Sequence, residues 1–166
     1  MDNARVIFGS TTGVTEGIAA KIAAALGCEA ANVANATANT FDAALLVLGT
    51  STWGMGDLQD DWAATGMPIL ESLDLKGRKV AAFGLGDGLG FADTFCDGVA
   101  TLIEAAVARG AENVGAIAAA DGSYGSIVSK VAADGRLTGL ALDETNEPEL
   151  TDGRIAAWVS QLKAAM

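Results

Sequence analysis

Short runs that are apolar throughout alternate along this chain with stretches whose apolar residues recur every three or four positions. Residues 4–8 (A-R-V-I-F), 43–49 (A-A-L-L-V-L-G) and 79–84 (K-V-A-A-F-G) read as buried strands, and 29–33 as a weaker one. Residues 14–26 carry Ile18, Ile22 and Leu26 on one helical face and stop at Gly27, a residue suited to ending a helix. A helix over about 62–73 is interrupted by Gly66 and Pro68, and a long helix over 93–109 closes at Gly110. Residues 113–118 read as a fifth strand. The polar, glycine-rich segment from Ala119 to Gly139, opening with Asp121, Gly122, Ser123, Tyr124, Gly125 and Ser126, reads as a surface insertion. Residues 139–143 (G-L-A-L-D) read as the return of that strand, and Thr151 or Asp152 as the cap of a last helix ending at Ala165.

Strands apolar on both faces, alternating with helices, specify a parallel sheet covered on both sides. The expected fold is α/β: a three-layer, doubly wound, five-stranded parallel sheet in one domain over residues 1–166, its fifth strand interrupted at about 119–139. In such sheets ligands lie beyond the carboxyl ends of the strands, where the strand order switches direction. That points to the loops after strands one, three and four.

The first loop is Ser10-Thr11-Thr12-Gly13-Val14-Thr15. Four hydroxyls and a run of backbone N–H groups gather there at the start of a helix, a setting for phosphate. No Lys or Arg lies between Arg5 and Lys21, and neither the G-K-[ST] lysine nor G-x-G-x-x-G is present, so a terminal phosphomonoester held by neutral donors fits better than a triphosphate or dinucleotide. In the second loop, Thr50-Ser51-Thr52-Trp53-Gly54-Met55-Gly56-Asp57, an indole sits among hydroxyls and glycines at the mouth of the sheet, placed to stack on a flat ligand. Gly54 and Gly56 permit positive φ, and a peptide able to turn over at Gly54-Met55 can offer its carbonyl to a ligand N–H. The third loop, Gly84-Leu85-Gly86-Asp87-Gly88-Leu89-Gly90-Phe91-Ala92-Asp93, lets backbone approach a ligand edge and supplies a second aromatic face in Phe91. Together the loops describe a flat aromatic ligand with one phosphate, and FMN fits.

Composition removes other readings. The chain has 166 residues, no histidine, and a net charge of −11. Histidine-based zinc sites and Ser-His or Cys-His catalysis are excluded, and the charge repels nucleic acid and anionic membranes while favouring partners with basic faces. Cys28 and Cys96 form no C-x-x-C and read as two buried free thiols. No charged and apolar leader is legible at the start, and no apolar run spans a membrane, so a cytoplasmic protein is expected.

At S-T-T-G-V-T (10–15), S-T-W-G-M-G-D-L-Q-D-D-W (51–62) and G-L-G-D-G-L-G-F-A-D-T-F-C-D (84–97), the sequence resembles the flavodoxins, and its interrupted fifth strand resembles the long-chain members. That family is itself an example of the ligand-placement rule used above. The resemblance implies a monomeric low-potential one-electron carrier, not an enzyme with its own substrate, that binds FMN non-covalently and works between larger redox proteins with basic docking faces. Ser10, Thr11, Thr12, Gly13, Val14 and Thr15 would hold the phosphate. Thr50, Ser51, Thr52, Trp53 and Gly54 would form the inner flavin loop, with Trp53 stacked and the Gly54 carbonyl bonding N5–H in the semiquinone. Gly84, Gly86, Asp87, Gly90, Phe91 and Asp93 would form the outer loop. Val14 and Phe91 depart from the family's usual polar residue and tyrosine. Asp57, Asp60, Asp61, Asp87 and Asp93 would disfavour the anionic reduced flavin, giving a cycle between semiquinone and hydroquinone. The alternatives are an NAD(P)H-dependent quinone or flavin reductase on the same fold, for which few basic residues are available, and a receiver module, whose paired acids after strand one are missing.

Overall fold

The computed structural model describes residues 2–118 and 124–166. Its central sheet contains β1 (Asp2–Phe8), β2 (Glu29–Asn32), β3 (Ala43–Trp53), β5 (Lys79–Leu85) and β10 (Leu140–Leu142), in the spatial order β10-β5-β3-β1-β2 and all parallel. The expected doubly wound parallel sheet is found, its five main strands joined by two short ones described below, one of them antiparallel. Its strands are apolar on both faces because helices cover both. Val6, Phe8, Leu45, Val47, Phe83, Leu140 and Leu142 pack with α1 (Val14–Leu26) and α4 (Thr151–Ala165). Ile7, Leu46, Leu48, Val80, Ala82 and Ala141 pack with α2 (Met67–Ser72) and α3 (Asp97–Ala108). Neighbouring strand residues thus fall into different layers, as the period of two requires. No helix among the described residues is long and apolar enough to cross a membrane.

Several elements differ from the sequence expectation. The loop expected from Thr50 to Asp61 is largely ordered: β3 continues to Trp53, with Ser51 still opposite Leu85, and turns back into the short antiparallel strand β4 (Asp57–Leu58). The interrupted helix over 62–73 is one continuous stretch, because Trp62–Gly66 forms a π-turn in which Met67 N–H donates to the Trp62 carbonyl. The wider turn absorbs the fault that Pro68 introduces by lacking an N–H. The helix expected over 93–109 begins at Asp97: Phe95 turns into the core, and Cys96 adopts a left-handed φ of 54° between a short 3-10 turn and α3. Thr151 does not cap α4; it is the first helical residue, and its hydroxyl donates to the Glu144 carboxylate. Cys28 is half-buried rather than buried, since it lies beside the edge strand β2, while Cys96 is fully enclosed and both thiols are free.

The fifth strand divides differently from the expected 113–118. Of residues 112–118, only β6 (Glu112–Asn113) pairs with β5, and β7 (Ile117–Ala118) leaves to join a small antiparallel sheet with β8 (Ala132–Ala133) and β9 (Arg136–Leu137). Between them, side chains of α4 replace the ladder. Gln161 Nε2 donates to the carbonyls of Val114 and Ala116, both at 2.9 Å, and Trp158 Nε1 to that of Gly115 at 2.8 Å. Of the insertion's opening residues, Asp121, Gly122 and Ser123 lie outside the described residues. Tyr124 donates to the Ala141 carbonyl at 2.7 Å, tying the insertion to β10.

The chain re-enters the sheet at Gly139 through a gap with no room for a side chain. A Cβ there would run into the Ala82 carbonyl and sit 2.7 Å from Val99 Cγ1. Gly139→Ala is expected to destabilise the protein by about 1–3 kcal/mol through overpacking, read as a lower urea midpoint at unchanged slope. An unchanged midpoint would mean that β10 docks with slack.

Candidate functional site

The loops following β1, β3 and β5 meet at the carboxyl edge of the sheet around a cavity of about 380 Å³. Thr11, Thr12, Val14 and Thr15 line one end, Ser51, Thr52, Trp53 and Gly54 a second wall, and Leu85, Gly86, Asp87 and Phe91 a third. Its lining contains no Lys or Arg.

At the first end the backbone turns through Gly13 at φ 89°, a conformation glycine adopts without strain, to start α1. Ser10 Oγ accepts from the N–H groups of Gly13 at 3.1 Å and Glu16 at 3.4 Å, so amides at the positive end of the helix converge on one oxygen. Such a cluster of neutral donors suits the oxygens of a phosphomonoester. Thr11, Thr12 and Val14 are exposed beside it, and Thr15 is buried under the turn.

At the other end two aromatic rings stand in the open. Trp53 is 45% exposed, its indole fixed by a 2.7 Å hydrogen bond from Nε1 to Ser51 Oγ, and Phe91 is 58% exposed. Gly54 has φ 54° in the turn between β3 and β4, which Gly56 N–H closes onto the Trp53 carbonyl at 3.1 Å. A phosphate cradle at one end and two exposed rings at the other match a flat aromatic phosphomonoester of FMN's kind.

Ser10, Gly13, Thr50, Gly84, Gly90 and Asp93, also expected at the site, are not among the residues lining the cavity. Thr50 is buried, with its hydroxyl donating to the Ser51 carbonyl at 2.8 Å. Gly84 is inside β5, where its bare Cα admits Val99 of α3. Ser10 and Gly13 shape the helix start, and Asp93 is exposed in the 3-10 turn. Gly84, Gly86 and Gly90 are not at positive φ; they are glycines for room. A Cβ at Gly86 would lie 2.8 Å from the Phe95 ring, and one at Gly90 would lie 2.5 Å from Asp87 Oδ2.

Sequence reading missed the segment after β10. Glu144 and Thr145 line the cavity, and Thr94 and Phe95 join them. Asp143 is buried and receives Gly88 N–H at 2.9 Å, while Asn146 Nδ2 bridges Asp143 Oδ2 and Asp87 Oδ1, both at 2.8 Å. The signal was available: β10 ends there, and the rule that picked out the ends of the other strands applies to it equally. Gln59, buried beneath Thr11, was also missed.

The sequence matches the flavodoxin family model over residues 6–158. A flavodoxin of Picosynechococcus sp. is 41% identical, over 99% of this chain and 98% of that one. One of Synechococcus elongatus is 38% identical, over 96% and 95%. The crystal structure of Fusobacterium nucleatum flavodoxin bound to flavin mononucleotide superposes with a TM-score of 0.90 at 30% identity, covering 100% of this chain and 99% of that one.

The N–H of Gly90, then the amide of Asn146 and the N–H of Leu89, hold the Asp87 carboxyl below its ordinary pKa. A depressed carboxyl stabilises the folded loop above the ordinary carboxylate range, and that contribution is lost as pH falls through the lowered value. Asn146→Ala removes one donor, so the Asp87 titration, followed by its side-chain carboxyl ¹³C shift, is expected to move up toward the ordinary range. A titration that stays in place would show that Asn146 does not hold Asp87.

Proposed function

The chain belongs to the flavodoxin family, and from that premise we propose that it is an electron-transfer protein that holds one FMN non-covalently in this cavity and carries single electrons between larger redox proteins. One observation carries the reading: a cation-free cradle of hydroxyls and helix-start amides shares a single cavity with two exposed aromatic rings. FMN, when bound, supplies the one-electron redox chemistry, and the protein sets its energetics.

Ser10, Thr11, Thr12, Gly13, Val14 and Thr15 would hold the phosphate. Trp53 and Phe91 would shield the faces of the ring, and Gly86, Asp87 and Gly90 would follow its edge. The Gly54 carbonyl, in a turn that glycine enters at φ 54° without strain, would accept a hydrogen bond from an N–H at the ring's centre. Asp57 reaches to within 3.3 Å of the Cβ position of Gly54, and Asp87 and Glu144 line the cavity. These carboxylates would oppose added negative charge on the bound ring and so lower the potential of its second reduction.

The proposal extends to one domain over the whole chain, since both core layers share the one central sheet. We further propose a monomer whose partners carry the basic faces, as its own net charge of −11 favours, with apolar side chains around the mouth, where Met55 is 91% exposed, available for contact. A reductase on the same fold is not favoured, because the relatives named above are flavodoxins.

Anaerobic titration of the FMN-loaded protein with dithionite is expected to bleach the visible bands in two separable one-electron steps, with no bleaching by NADH alone. A single two-electron step, or direct reduction by NADH, would overturn the carrier reading. A Cβ at residue 54 resists both φ 54° and reorientation of the 54–55 peptide, so Gly54→Ala is expected to lower the midpoint of the first step. An unmoved midpoint would remove Gly54 from the mechanism.

A further inference from the structure

Gln59 lies beneath the first loop, 2% exposed, with every hydrogen-bonding position of its amide engaged. Oε1 accepts from the N–H groups of Asp61 at 3.0 Å and Trp62 at 3.3 Å. Nε2 donates to Asp61 Oδ2 at 2.8 Å and to Thr11 Oγ1 at 3.4 Å. Turned over, the amide would set its NH₂ against two N–H donors, so its orientation is fixed.

We propose that Gln59 is a positioning residue that orients the Thr11 hydroxyl for phosphate. An N–H donated to Thr11 Oγ1 bars the hydroxyl proton from that side and leaves it pointing away from Gln59. Thr11 lines the cavity and Gln59 does not, so the proton is left to an anion at the helix start. The inference rests on the FMN reading given above.

Gln59 is itself braced. A Cβ at Gly9 would run into Gln59 Oε1 and lie 2.7 Å from Trp62 Cδ1, so both side chains press against the end of β1 where the loop departs. Trp62 Nε1 donates to the Gly49 carbonyl at 2.7 Å, fixing that stack to the sheet. The neutral amide also stands between the Asp61 carboxylate and Thr11. A carboxylate in its place would take the hydroxyl proton for itself and reverse the bond.

The test is fluorescence-quenching titration of the apoprotein with FMN and, separately, with riboflavin, which lacks the phosphate. Gln59→Met removes the donor at similar volume, and Gln59→Glu keeps an acceptor for the Asp61 and Trp62 N–H groups while removing it. Both are expected to raise the Kd for FMN about tenfold, the scale of one charge-assisted hydrogen bond, and to leave that for riboflavin within about twofold. In a Thr11→Val background, Gln59→Met is expected to cause no further loss of FMN-over-riboflavin preference, since the two residues act as one unit. Equal losses for both ligands in both variants, or an undiminished FMN loss in the Thr11→Val background, would reduce Gln59 to a packing residue and overturn the proposal. A wild-type protein that does not bind FMN would overturn the cofactor reading itself, and this inference with it.

Discussion

Everything functional in this molecule depends on a divergence between two adjacent parallel strands. β1 and β3 lie side by side, yet the chain leaving β1 enters α1 on one face of the sheet and the chain leaving β3 goes to the π-turn and α2 on the other. Two neighbouring strands whose exits part in opposite directions leave a crevice at their carboxyl ends, and flavodoxins are a standing illustration of that rule. Parallel strands need crossover connections, crossovers put helices on the faces, and the strand order then decides where the faces change over.

The crevice keeps its shape because the strands beneath it are locked on both sides. Trp62 ties the middle of β3 to the second layer through the Gly49 carbonyl and packs edge-on against Phe41 at 6.3 Å. Phe83 and Trp158 make the matching contact in the other layer, also at 6.3 Å. Close packing leaves little room for either ring to shift, so loops fastened to them inherit a fixed separation. Exposed Trp53 and Phe91 are thereby held by a rigid base instead of collapsing onto the core.

The polar parts of the site are held by small brackets of buried or bridging groups. Gln59 joins the first loop to the start of the π-turn, and Asp143 with Asn146 joins the third loop to the end of β10. Thr52 Oγ1 receives Gly98 N–H at 3.0 Å, so the second loop also caps α3. A buried polar group without partners is costly, and here each bracket takes at least one partner from a different loop. The requirement to satisfy these groups therefore doubles as the means of assembling the cavity.

Much of this was written locally. The apolar runs at 43–49 and 79–84, the face of α1 and the hydroxyl-rich turn at 10–15 state the fold class and point to three of the cavity walls, because periodicity and turn chemistry act over a few residues. Tertiary contact decided the rest. Side chains of α4 took the carbonyls that would have continued the fifth strand, so 113–118 was split between two sheets. Residues 50–53 became strand because β5 continued beside them, and Gly84 served packing because α3 lay on top of it. Gln59 and Asn146 carry no local signal, since each draws its meaning from partners as much as 48 and 59 positions away. The sequence by itself determined the main strands and helices and three of the ligand-facing turns, because those signals are local. Only the folded sheet decided which distant polar groups would meet, because hydrogen-bond partners across loops are set by register and layer order rather than by neighbours along the chain.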